Sequence, residues 1–92
     1  MKSKVVVIGA GFSGLSAATS MASMGHEVVL LEKHTMAGGR ARVFNDNGFG
    51  FDMGPSWYWM PDGFEDYFSS FGKNIHDSLN LHRLSPCYRV FF

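Results

Sequence analysis

Apolar residues gather in two short blocks, Val5-Val6-Val7-Ile8 and Val28-Val29-Leu30-Leu31, separated by a stretch rich in Gly, Ala, Ser and Met. Short, near-continuous β-branched runs are what buried parallel strands look like, so Val5 to Ile8 predicts strand one and Glu27 to Leu31 strand two. Between them, Gly9 to Gly11 predicts a turn and Ser13 to about Met24 a helix, with Gly25 as its stop. Strand, helix and strand in that order imply a parallel pair with a right-handed crossover. Lys33 to Gly39 reads as a loop. Ala41 to Phe44 and Phe49 to Phe51 predict two short strands around Asn45-Asp46-Asn47-Gly48, where Asn-Gly favours a hairpin because both residues tolerate positive φ. Asp62 to Phe71 predicts an amphipathic helix with Phe64, Tyr67, Phe68 and Phe71 on one face. Asp62 is expected to cap it in concert with Glu65, and Gly72 follows its last apolar residue. His76 to Leu81 suggests a short helix and Tyr88 to Phe92 a strand.

Composition narrows the class. Of the 92 residues, 46% are hydrophobic, too many for a disordered tail. A doubly wound nucleotide-binding domain needs more strands than a chain of this length supplies, and the sequence stops inside the apolar run Val90-Phe91-Phe92. The expectation is an amino-terminal piece of a larger protein. Eight Lys plus Arg balance eight Asp plus Glu, and no basic cluster makes a footprint for nucleic acid. Cys87, the single cysteine, has no disulfide partner and suits a reducing, cytoplasmic compartment. Lys2 and Lys4 before Val5 to Ile8 mimic a signal peptide, but the glycines that follow break the apolar stretch. No run approaches the roughly 18 apolar residues of a membrane span.

The chemistry concentrates at Gly9-Ala10-Gly11-Phe12-Ser13-Gly14, a G-x-G-x-x-G pattern between a predicted strand and a predicted helix. That context aims the N–H groups and positive end of the helix at a pyrophosphate. Gly9 permits the tight turn, Gly11 lets phosphates approach the backbone, and Gly14 lets helix and strand pack closely. Ala18 extends the small-residue face by one turn. Glu32, ending strand two, suits ribose hydroxyls and would repel a 2′-phosphate. The unit from Lys4 to Glu32 therefore predicts a dinucleotide site and leaves NAD and FAD both open. Gly38-Gly39-Arg40 reads either as a second anion-binding turn or as a loop with a solvated arginine.

VVVIGAGFSGLSAA, EVVLLEKHTMAGGRA, GFGFDMGPSWYWMPDGFEDYF and LHRLSPCYRVFF together resemble the start of bacterial-type phytoene desaturases, carotenoid desaturases of the flavin amine oxidase-like superfamily. The resemblance covers the whole chain and implies an α/β fold. Residues 1–92 would be the amino-terminal part of a Rossmann-like FAD-binding domain, with 41–92 leading into the substrate region. It implies FAD as cofactor, with Gly9, Gly11, Phe12, Ser13 and Gly14 at the pyrophosphate and Glu32, with Lys33 beside it, at the adenosine ribose. Gly38, Gly39 and Arg40 would reach the phosphates, and Gly54, Pro55 and Ser56 would pass near the flavin. The implied activity is removal of hydrogen from an apolar polyene such as phytoene. Peripheral contact with the inner face of the cell membrane is a further expectation of the family.

Other readings stay beside this one. An amine or porphyrinogen oxidase shares the superfamily, and a non-catalytic nucleotide-binding module fits the length. No nucleophile, base and orienter constellation suggests hydrolysis, and no catalytic residue is identified. His26, His34, His76 and His82 lack metal-ligand spacing, and no metal is expected. Asp52 reads either as orienting a loop or as an acid, and the structural role is the expectation. Trp57, Tyr58 and Trp59 fit a substrate channel, a membrane interface or ordinary packing, whereas packing is the expectation for the Phe64 to Phe71 face.

Overall fold

A computed structural model of the chain describes residues 1–55 and 57–92. The chain divides into two compact units, Met1–Tyr58 and Trp59–Phe92.

In the first unit, β1 (Lys4–Ile8) and β2 (Glu27–Leu31) pair in parallel, with Lys4 opposite Glu27 and Ile8 opposite Leu31. The connecting helix α1 (Phe12–Ser23) packs on both strands. Alternation along β1 decides which side chains it covers: Val5 and Val7 are half-buried, whereas Val6 and Ile8 are exposed. Ala18, on the strand-facing side of α1, is buried. At the far end of the helix, Gly25 N–H donates to Ala22 C=O at 3.0 Å and His26 N–H to Met21 C=O at 3.2 Å. This paired closure is the Schellman motif, with Gly25 at φ +89°. The expected glycine stop is therefore present, and the predicted helix is displaced by one residue.

A 3₁₀ turn, Gly39–Ala41, follows the loop after β2. The hairpin β3 (Val43–Asp46) and β4 (Phe49–Asp52) comes next, antiparallel, with Phe44 opposite Phe51 and Asp46 opposite Phe49. Asn47 and Gly48 form its two-residue turn at φ +48° and +82°, the paired positive values that Asn-Gly tolerates. The first hairpin strand starts at Val43 and not at Ala41, because the 3₁₀ turn already commits Gly39 to Ala41 to a helical backbone.

The second unit is built around α2 (Pro61–Ser70). Phe64, Tyr67, Phe68 and Phe71 are half-buried, as the spacing predicts, and Tyr67 meets Phe71 edge-on with ring centroids 5.1 Å apart. The expected capping box does not form. Met60, in the left-handed region at φ +54°, is the cap residue and no side chain caps the helix. Pro61 occupies the first helical position, where its fixed φ and missing N–H suit a helix start. Asp62 falls inside the first turn, and Glu65 lies 3.5 Å from His76 Nε2.

The short helix expected over His76 to Leu81 is a single 3₁₀ turn, Ile75–Asp77. It starts where the Asn74 side chain accepts the His76 N–H at 3.0 Å, and it places Ile75 in the buried core. The strand expected over Tyr88 to Phe92 is absent among the described residues. An apolar, extended run becomes a strand only when another strand takes up its N–H and C=O groups.

Candidate functional site

The glycine turn begins where the parallel ladder ends: Gly9 N–H donates to Leu31 C=O at 2.7 Å. Gly9 turns the chain at φ +101°, and Gly11 stands at the amino end of α1. No side chain caps that end and no acidic residue occupies its first turn. The N–H groups and positive dipole end of α1 are thus not offset by the helix's own carboxylates. Phe12 and Ser13 are exposed there. A Cβ at Gly14 would overlap the Gly9 carbonyl oxygen, with a Val7 methyl also 3.7 Å away. Close approach of helix to turn is what position 14 demands, as the spacing predicts.

Ala10, only 2% exposed, is held on both faces of its backbone. Its N–H donates to Glu32 Oε2 at 2.7 Å, and its C=O accepts from Gly38 N–H at 2.8 Å. Glu32 Oε1 accepts the His34 N–H at 3.0 Å. These backbone hydrogen bonds, Ala10 first, hold the Glu32 carboxyl below the usual carboxylate range, so the group is ionised at neutral pH. Each carboxylate oxygen offers more than one acceptor site, so ribose hydroxyls are still accommodated.

The second glycine segment lies against the first. A Cβ on Gly39, at φ +59°, would stand 3.1 Å from Gly11 Cα. Arg42 Nη1 donates to Gly39 C=O at 2.8 Å, and Arg42 C=O accepts from Met53 N–H at 3.1 Å. Gly54 packs so closely on the Arg40 carbonyl oxygen that a Cβ there would overlap it.

The fold therefore gathers Gly14, Glu32, Gly38 and Gly39 about the turn Gly9 to Gly11, and brings Gly54 to the Arg40 backbone. Lys33, Arg40 and Pro55 are exposed, and Ser56 lies outside the described residues. The sequence marks neither Ala10 nor Arg42 as a site residue, and His34 only as a histidine without metal-ligand spacing. Ala10 is only an x in the glycine pattern, and nothing in the spacing of Arg42 announces a bond to Gly39. Among the described residues no group of three or more His, Cys, Asp and Glu could hold a metal ion. A surface hollow of about 410 Å³ over His76 to Leu81 belongs to the second unit and contains none of the predicted site residues.

The glycine cradle, a helix end without its own carboxylate and an ionised Glu32 fit the ADP-ribose part of a dinucleotide. Comparison with known proteins agrees. The chain is 54% identical over 88 residues to a carotenoid 3,4-desaturase of Haloarcula japonica, covering 96% of this chain and 18% of that protein. It is 48% identical over 89 residues to a 4,4′-diapophytoene desaturase of Staphylococcus aureus, covering 97% of this chain and 18% of that protein. The chain thus spans about a fifth of the length of these curated relatives. Among solved structures, an oxidoreductase from Methanosarcina mazei has a TM-score of 0.50 at 39% identity, over 61% of this chain and 13% of that one. A CLA-producing fatty acid isomerase from P. acnes has a TM-score of 0.54 at 25% identity, over 80% of this chain and 17% of that one. The NAD(P)-binding Rossmann-like domain profile matches residues 7–72. With the strand, glycine turn, helix and strand in place, the chain belongs to the NAD(P)-binding Rossmann-like domain family.

Proposed function

We propose that this chain forms the nucleotide-binding part of an FAD-dependent oxidoreductase that desaturates a carotenoid precursor. The observation that carries the reading is the 54% identity to a carotenoid 3,4-desaturase, which extends over 88 residues and so beyond the glycine turn. The turn alone serves NAD and FAD equally. FAD is favoured because the similar proteins are desaturases and because Gly38-Gly39-Arg40 stands beside the first glycine turn.

The geometry supports the following division of labour. Gly9, Gly11, Phe12, Ser13 and Gly14 form the turn and first helical residues on which a pyrophosphate rests. Glu32 accepts from the ribose and discriminates against a 2′-phosphate by charge. Lys33 and Arg40, both exposed, add positive charge near the phosphates. FAD, when bound, supplies the two-electron acceptor for hydrogen leaving the substrate. An apolar polyene dissolves in lipid, so the reading includes peripheral attachment to the cytoplasmic face of a membrane. Trp57 and Trp59, 47% and 66% exposed, have the amphipathic rings that such an interface takes up. No helix among the described residues is long and apolar enough to cross a membrane.

The test uses the full-length protein. It is expected to carry a chromophore absorbing near roughly 450 nm and to convert phytoene or diapophytoene into a product with a longer conjugated system. Hydrogen peroxide released from an amine, with no polyene product, would transfer the reading to another oxidase of the superfamily. A colourless protein that binds ADP and oxidises nothing would leave a nucleotide-binding module.

A further inference from the structure

The geometry points to Arg42 as a positioning residue of the phosphate site, one that turns the carbonyl of Gly39 away from the anion. This inference rests on the dinucleotide reading above. A Gly-Gly turn is a neutral strip of backbone, and it attracts a pyrophosphate only if N–H groups face the anion while carbonyls do not.

Both carbonyls of this turn are occupied. Gly38 C=O accepts from Ala41 N–H at 3.0 Å. Gly39 C=O accepts twice from Arg42, from the guanidinium Nη1 at 2.8 Å and from the backbone N–H at 3.4 Å. Gly38 N–H is committed to Ala10 C=O at 2.8 Å, which fastens the turn to the first glycine segment. The donors left to the turn are the N–H groups of Gly39 and Arg40, which have no partner among the described residues. Gly39 sits within contact of Gly11, the position where phosphates approach the backbone. Arg42 thus fixes the polarity of a turn that borders the anion, and its part-buried charge reinforces the positive potential there.

Arg40 differs in kind. It is exposed, and its nearest constraint is the packing of its own carbonyl against Gly54. Arg40 is free to contact phosphate directly, whereas Arg42 acts through Gly39.

The experiment compares Arg42→Met and Arg42→Lys with the parent in the full-length protein stripped of cofactor. ADP and adenosine serve as the titrants in calorimetry. Loss of one charge-assisted hydrogen bond is expected to weaken ADP about tenfold in Arg42→Met. Adenosine, which has no phosphates, is expected to bind all three proteins alike. Arg42→Lys, which keeps the charge and one donor, is expected to recover most of the ADP affinity. Unchanged ADP binding in Arg42→Met would overturn the inference while leaving the dinucleotide reading intact. Equal losses of ADP and adenosine would overturn it by showing general damage to the unit. A parent protein that binds neither ligand would overturn both readings.

Discussion

Glu32 holds two backbone N–H groups from opposite sides, Ala10 on the glycine turn and His34 on the following loop. A carboxylate in that position does structural work before any ribose arrives, because both bonds favour its ionised form. The consequence for stability has a definite sign. The native carboxyl is held below its ordinary value of 4.5, so the unfolded chain binds the proton more readily near that pH. The stabilisation is fully present above about pH 4.5 and is lost as pH falls through the lowered native value. Thermal melts of the parent between neutral pH and pH 3 should therefore show a drop in the acid range that Glu32→Gln shows less of. Equal acid sensitivity in the two proteins would remove this role from Glu32. The residue was legible as a ribose acceptor, since a carboxylate ending the second strand is a local signal. Its bond to Ala10, 22 residues away, was not.

The helices show how the same residue type answers to different constraints in different elements. Gly14 in α1 sits where a Cβ would overlap the Gly9 carbonyl oxygen, while Gly63 in α2 has open space around it. Gly14→Ala should cost about 1–3 kcal/mol by forcing helix and turn apart. Gly63→Ala should instead stabilise its helix by about 0.5–1 kcal/mol, by reducing the backbone freedom of the unfolded chain. Urea denaturation of both variants checks the pair, and like signs would refute the contrast. Spacing in the sequence located Gly14, because its role is set by the turn just before it. The sequence puts the start of α2 one residue late, because Asp62 and Glu65 have the pattern of a capping box. The left-handed Met60 and Pro61 set the first turn instead.

Across the molecule, the described buried apolar residues are Ala10, Ala18 and Ile75, and large side chains such as Val6, Ile8 and Leu31 remain more than half or about half exposed. The parallel pair is covered by α1 from one side, and the chain that bears these exposed side chains spans about a fifth of the length of its curated relatives. Bound nucleotide is expected to add to the stability of the unit that holds it, by mass action. ADP at about a hundred times its Kd should add about 2.7 kcal/mol. Hydrogen exchange at Val5 to Ile8 and Glu27 to Leu31 should slow accordingly in the full-length protein. Unchanged exchange at saturating ADP would count against a site on this turn. The run Tyr88 to Phe92 illustrates the opposite limit of sequence reasoning, since its β-pattern finds no pairing strand among the described residues.

The sequence by itself determined the strand, glycine turn, helix and strand, the Asn47-Gly48 hairpin and the half-buried face of α2. Each of these depends on residues a few positions apart, whose backbone preferences and periodicity act locally. Only the tertiary structure decided that Ala10 is clamped between Glu32 and Gly38, that Gly39 rests on Gly11, and that Arg42 governs the Gly39 carbonyl. The first two contacts join residues that meet only once the parallel pairing of β1 and β2 brings the ends of both strands to one edge. The third requires the 3₁₀ turn to fold an arginine back on a carbonyl three positions earlier. The glycine turn, Glu32 and Gly38 are written in the chain, and the bonds that join them through Ala10 are not.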